Sequence, residues 1–158
     1  MSGDHPESVL WLDPGGTTGW AMLDLTKDGT YLFECGQETG TVDTGVFVDE
    51  VLEYRCDKRR HGPGDVWVGW EQYIVTSGGG KAGNPAPSLE AIGAVRYLCA
   101  KHRARVLPAV PSSHRVVASP ALLKSLGWWR PGMPHAQDAT RHLVAWLLRE
   151  RKSRRILG

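Results

Sequence analysis

Four side chains stand where packing alone does not explain them. Asp13 ends the apolar run Val9-Leu10-Trp11-Leu12, and Glu71 ends a second run, Val66-Trp67-Val68-Gly69-Trp70. His135 and Asp138 lie three residues apart at the start of a helical stretch, a spacing that makes them neighbours on one helix face. Carboxylates brought together repel and raise one another's pKa, so such a set is costly without a cation. Magnesium or manganese relieves that cost, because hard divalent ions prefer carboxylate oxygen and manganese also accepts imidazole. Two such ions, roughly 3.5–4 Å apart, stabilise the attacking and leaving oxygens in phosphodiester cleavage. Taken singly, each residue has an ordinary reading. Asp13-Pro14-Gly15-Gly16 is a turn, Glu71 a strand-end acid, His135 a residue at a helix start, and Asp138 a partner for the positive end of the helix dipole. Only the conjunction points to metal chemistry.

The elements that must position these groups follow in order. The run before Asp13 reads as a strand, and Gly19 to Leu25 and Tyr31 to Cys35 restart extended apolar runs after Gly-containing turns, which gives an antiparallel meander. Val48, Val51, Leu52 and Tyr54 fit a helix from about Asp43 to Arg60, closed by Lys58-Arg59-Arg60 and stopped by Gly62-Pro63-Gly64. The run before Glu71 is apolar on both sides, as a central strand is. Leu89, Ile92, Val95, Leu98 and Cys99 outline a second helix, and Arg105 to Val110 a fifth strand. Ser119-Pro120 caps a short helix that Gly127 closes. A last helix runs from Pro134 to Glu150 with Ala136, Ala139, Leu143, Trp146 and Leu147 on its buried stripe. The order βββ-α-β-α-β-α-α predicts one α/β domain over residues 1–158. Its mixed five-stranded sheet has three antiparallel strands followed by parallel ones, with helices on both faces. A basic tail, about 149–158, ends it.

Composition narrows the class. A chain of 158 residues, 41% hydrophobic and 23% charged with seven Trp, has the mass for one core. No apolar run approaches a membrane span, and the start of the chain lacks the order of a secretory signal, so a cytoplasmic protein is expected. Cys35, Cys56 and Cys99 form no CxxC pair, which argues against a disulfide framework or a zinc ribbon. Charge is unevenly placed. Residues 1–50 hold one basic residue, Lys27, against ten acidic ones, and residues 51–158 hold eighteen basic against seven acidic. One surface is thereby suited to a polyanion that another repels.

These residues resemble a known family. Val9 to Leu25, VLWLDPGGTTGWAMLDL, looks like the first hairpin of the RuvC-type Holliday-junction resolvases, in which the strand-end Asp is a catalytic metal ligand. Trp70-Glu71-Gln72 resembles that family's fourth-strand Glu-Gln, and Ser88-Leu89 through Gly93 and Arg96 its following helix. His135-Ala136-Gln137-Asp138-Ala139 is similar to its final motif, and the approach Trp128 to Met133 looks most like phage-encoded members. The resemblance implies an RNase H-like fold and a homodimer acting on branched DNA, with two Mg²⁺ or Mn²⁺ ions per site. It implies a catalytic and metal-binding set of Asp13, Glu71, His135 and Asp138. Where members often carry an aromatic wedge three residues after the Glu, this chain has Ile74, with Tyr73 one before it. Arg115 matches a basic residue that often follows the fifth strand.

Lys81 in the Gly-rich loop 76–84, Arg115, Lys124 and Arg130 are candidate phosphate contacts, since backbone binding needs positive charge without base reading, and Tyr73 is a candidate DNA contact for junction opening in place of the family's wedge. That loop lacks the full phosphate-loop pattern, because Ala82 follows Lys81. Trp128-Trp129 fits a core or a dimer interface better than a base-stacking platform. Three other activities share parts of the pattern. A flap, fork or RNA nuclease would use the same fold. A silent junction-binding scaffold would keep the basic surface alone. An ATPase of the actin/sugar-kinase type shares Asp13-x-Gly-x-Thr-Thr-Gly but needs a second domain to clamp its nucleotide.

Overall fold

The structure is a computed structural model, and it describes residues 7–25, 30–57, 64–71, 85–107 and 118–149. Its strands are β1 (Ser8–Asp13), β2 (Thr17–Leu25), β3 (Tyr31–Thr39), β4 (Val66–Trp70) and β5 (Arg105–Val106). Its helices are α1 (Thr41–Arg55), α2 (Ala86–His102), α3 (Pro120–Ser125) and α4 (Pro134–Arg149). The element order is the one the sequence predicts. The strands form one sheet in the order β3-β2-β1-β4-β5. The first three pair antiparallel, and β1–β4 and β4–β5 pair parallel.

Because side chains on a strand alternate between faces, β1 and β4 each feed two cores. Leu10, Leu12, Val66, Val68 and Trp70 pack with Val48 and Leu52 of α1 and Ile92, Val95 and Leu98 of α2. Val9, Trp11 and Trp67 pack on the other face with Ala139, Leu143, Trp146 and Leu147 of α4. Leu10, Leu12, Val66 and Val68 are fully buried, each worth about 1.5–3 kcal/mol relative to exposure. Helices thus cover both faces, and β1, flanked on each side, is central.

Several boundaries differ from the sequence reading. Helix α1 stops at Arg55, five residues short of the expected end, with the Cys56 N–H closing on the Leu52 carbonyl. Arg55 pairs with Asp24 of β2, which also accepts from Ser8 Oγ at 2.5 Å. That buried pair ties the helix end to the sheet and outweighs the basic run Lys58–Arg60, which lies outside the described residues. Strand β3 continues to Thr39, because ladder pairing with β2 carries its polar half, Gly36 to Thr39. Within the expected fifth strand Arg105–Val106 forms the ladder with β4, the Leu107 N–H also donates to the Val68 carbonyl, and residues 108–110 lie outside the described residues. The Ser119 cap is present, its hydroxyl accepting from the Leu122 N–H. Trp128 stacks on Phe33 with centroids 4.4 Å apart, and Trp129 joins a small cluster around Leu123 and Val144. Both indoles therefore serve packing. Among the described residues, no helix is long and apolar enough to cross a membrane.

Candidate metal centre

The alternation that builds the two cores also aims the acids. On β1 and β4 the odd-numbered residues Val9, Trp11 and Trp67 face α4. Asp13 and Glu71 continue that parity at the carboxyl ends of two adjacent parallel strands, whose last paired residues are Leu12 and Trp70. Two carboxylates are thereby set side by side under the start of α4, where the sheet's central strands end. Ligands of open α/β sheets commonly bind at such carboxyl ends.

Helix α4 reaches them because β2 is bare at one point. Gly19 pairs with Asp13 across the β1–β2 ladder, and a Cβ there would lie 1.9 Å from the His135 carbonyl oxygen. Only glycine lets the first turn of α4 rest on the strand. The approach is pinned by the Trp128–Phe33 stack and by Gln137 Nε2 donating to the Arg130 carbonyl. From this seat His135 Nδ1 comes within 3.5 Å of Asp13 Oδ2. Asp138, one turn on, is paired with Arg141 at 3.1 Å. One more turn brings His142, whose Nε2 faces Glu71 Oε2 at 3.3 Å.

Asp13, Glu71 and His142 each offer one ligand atom, and these atoms all lie within 4.8 Å of one another. Donors around a magnesium-sized ion stand about 3 Å apart when adjacent and about 4.2 Å when opposed, so these three side chains can close on a divalent cation by shifting inward. Burial, and then the charge of Asp138, push the Asp13 carboxyl above the usual carboxylate range, against smaller lowering effects from His142 and His135. A carboxylate held at such a cost is what a cation relieves.

All four sequence-predicted residues thus come to one end of the sheet, with Asp138 acting on Asp13 through its charge. Sequence reasoning passed over His142, which sits inside the buried stripe beside Leu143. The signal was present, since His135, Asp138 and His142 at i, i+3 and i+7 share one helix face. Trp11 lies nearly parallel to the His142 ring, with centroids 6.2 Å apart and planes 14° apart. Gly69 makes room for that indole, because a Cβ at 69 would lie 2.5 Å from it.

The candidate DNA contacts are less uniform. Lys124 lies over the Trp129 ring, and Arg130 donates to the carbonyls of Gly127 and Trp129 while covering Phe33. Both side chains are therefore partly committed to the α3–α4 connection. Tyr73, Lys81 and Arg115 lie outside the described residues.

No protein-family model and no curated protein matches the sequence. Solved structures do match. The chain is similar to RuvC of Thermus thermophilus in complex with a Holliday junction substrate, with a TM-score of 0.61 at 16% identity. A second Thermus thermophilus RuvC structure matches with a TM-score of 0.57 at 17% identity. Each similarity covers 90% of this chain and 96% of the other. The fold is RNase H-like, as in RuvC. In this RuvC-like fold the central pair β1 and β4 carries Asp13 and Glu71, and α4 crosses above them.

Proposed function

We propose that the protein is a metal-dependent, structure-selective endodeoxyribonuclease that cleaves four-way DNA junctions as a homodimer. The observation that carries this reading is the meeting of Asp13, Glu71 and the His135–Asp138–His142 face of α4 at the carboxyl ends of β1 and β4. A similar solved structure holding a Holliday junction supports the choice of substrate. Asp13 and Glu71 would hold Mg²⁺ or Mn²⁺, which when bound stabilises charge on the attacking and leaving oxygens. Water adds to phosphorus, the P–O3′ bond breaks, and O3′ takes a proton, leaving a 5′-phosphate and a 3′-hydroxyl. His135 stands at the mouth with nearly half its side chain exposed, placed to pass a proton between solvent and the Asp13 edge. Asp138 keeps the site negative while Arg141 holds it in place. Lys81, Arg115, Lys124 and Arg130 would contact the DNA backbone, and Tyr73 the opened junction.

A synthetic four-way junction, incubated with the protein and Mg²⁺ or Mn²⁺, tests this directly. Paired nicks on opposed strands, abolished by EDTA, are expected. Flaps, replication forks and RNA hybrids are run beside it. Folded protein that leaves the junction intact with either metal, or that prefers a flap, overturns the junction reading.

A further inference from the structure

His142 is the least expected member of the site. It lies on the sheet-facing stripe of α4 and is 4% exposed, where an imidazole is costly unless its nitrogens are engaged. Trp11 covers one side of its ring and Gly69 fixes where that indole can lie. Held this way, Nε2 is directed out of the apolar core toward the two strand-end carboxylates. An ion pair with Glu71 alone would explain the 3.3 Å contact, but the Asp13 oxygen also falls within the same 4.8 Å span. His135 offers a poorer donor, being open to solvent, and Asp138 is drawn toward Arg141.

We propose that His142 Nε2 is a ligand of a divalent cation shared with Asp13 and Glu71, so that the site takes manganese in preference to magnesium. The assignment rests on the reading of this cluster as a metal centre, and it deepens that reading by naming the nitrogen donor. Oxygen-only sites suit magnesium, whereas an imidazole in the set favours transition ions. Trp11 and Gly69 act as positioning residues, setting the ring's plane without touching the ion.

Manganese alone, titrated into EDTA-stripped full-length protein, serves as the probe. Pulsed electron paramagnetic resonance of the bound ion reads whether a nitrogen is coordinated, independently of any DNA cleavage. Nitrogen coupling is expected in the parent protein and in His135→Ala, and its loss in His142→Gln. The His142→Gln change should also weaken manganese binding by about tenfold or more and magnesium binding far less. Coupling that disappears in His135→Ala, or a bound ion without nitrogen coupling in the parent, overturns the assignment. If His142→Gln does not fold, coupling that survives in His135→Ala excludes His135, and loss of that coupling in His142→Asn assigns the nitrogen to His142. Bound manganese with nitrogen coupling, in protein that leaves four-way junctions intact, sinks the nuclease reading and leaves the ligand assignment standing. Failure of manganese to bind at all removes both.

Discussion

At the scale of single residues, the site holds charges that the fold alone would not choose. Burial and Asp138 hold the Asp13 carboxyl above the usual carboxylate range, so it binds its proton more tightly folded than unfolded. Such a group favours the folded state at low pH. As pH rises through the window that starts near its ordinary value of 3.8, the unfolded chain releases its proton first. Stability falls across that window and stays lower above it. Removing the charge should therefore help the metal-free protein. Asp13→Asn is expected to melt a few degrees higher than the parent at pH 7 in EDTA, with the gain shrinking toward the acid end of the window. Manganese should raise the melting temperature of the parent and leave the variant unmoved, while cleavage drops by about a hundredfold or more and junction binding persists. Lower melting of Asp13→Asn in EDTA would show that its carboxylate stabilises the fold. The two carboxylates were legible in the sequence because a charge ending an apolar run has few reasons to be there. His142 shares the helix face of His135 and Asp138, yet it was passed over because a histidine flanked by Leu143 in a buried stripe reads as core until the neighbouring strands are placed.

At the scale of elements, everything depends on how closely α4 approaches β2. The Gly19 position opposes Asp13 on one side and carries the His135 backbone on the other. A methyl group there meets main chain, which cannot rotate away, so Gly19→Ala must lift or tilt the start of the helix. Overpacking of this kind costs about 1–3 kcal/mol. The expected result is a lower melting temperature with cleavage reduced further than the unfolded fraction accounts for, since His135 and Asp138 move off Asp13. Measuring cleavage and manganese affinity well below the melting transition separates the two effects. Full activity there would mean that the contact serves stability alone. Gly19 lies inside an apolar strand pattern, so its role cannot be read without knowing what lies above it. The ends of α1 and β3 were misplaced for a related reason. The buried Arg55–Asp24 pair and the β2 ladder are long-range partners, and they override the local signals at Lys58–Arg60 and at the polar residues after Cys35. The apolar runs of β1 and β4 and the stripe of α4 were readable because burial imposes a period on them.

At the scale of the whole molecule, the uneven charge of the sequence maps onto the sheet. The acidic half supplies Glu34 and Glu38 on β3 at one edge, and the basic half supplies Arg103 and Arg105 at the β5 edge. The two carboxylates of the site lie on the central strands between them. A polyanion approaching the molecule meets repulsion at the β3 edge and attraction at the β5 edge, which would orient the phosphate backbone of the proposed substrate before any specific contact forms. Junction binding should therefore weaken steeply with salt, because each neutralised phosphate releases counterions. Arg115, which follows the β5 edge in the sequence, is expected to hold one such phosphate. Arg115→Ala should weaken binding across junction sequences and reduce the slope of log affinity against log salt by about one. It should leave the manganese affinity of the site unchanged, because a residue that holds a phosphate supplies no metal donor. Titrations of labelled junction at several salt concentrations, with Ca²⁺ in place of Mg²⁺ to suppress cleavage, measure the slope. A slope equal to that of the parent would remove Arg115 from the proposed DNA contacts.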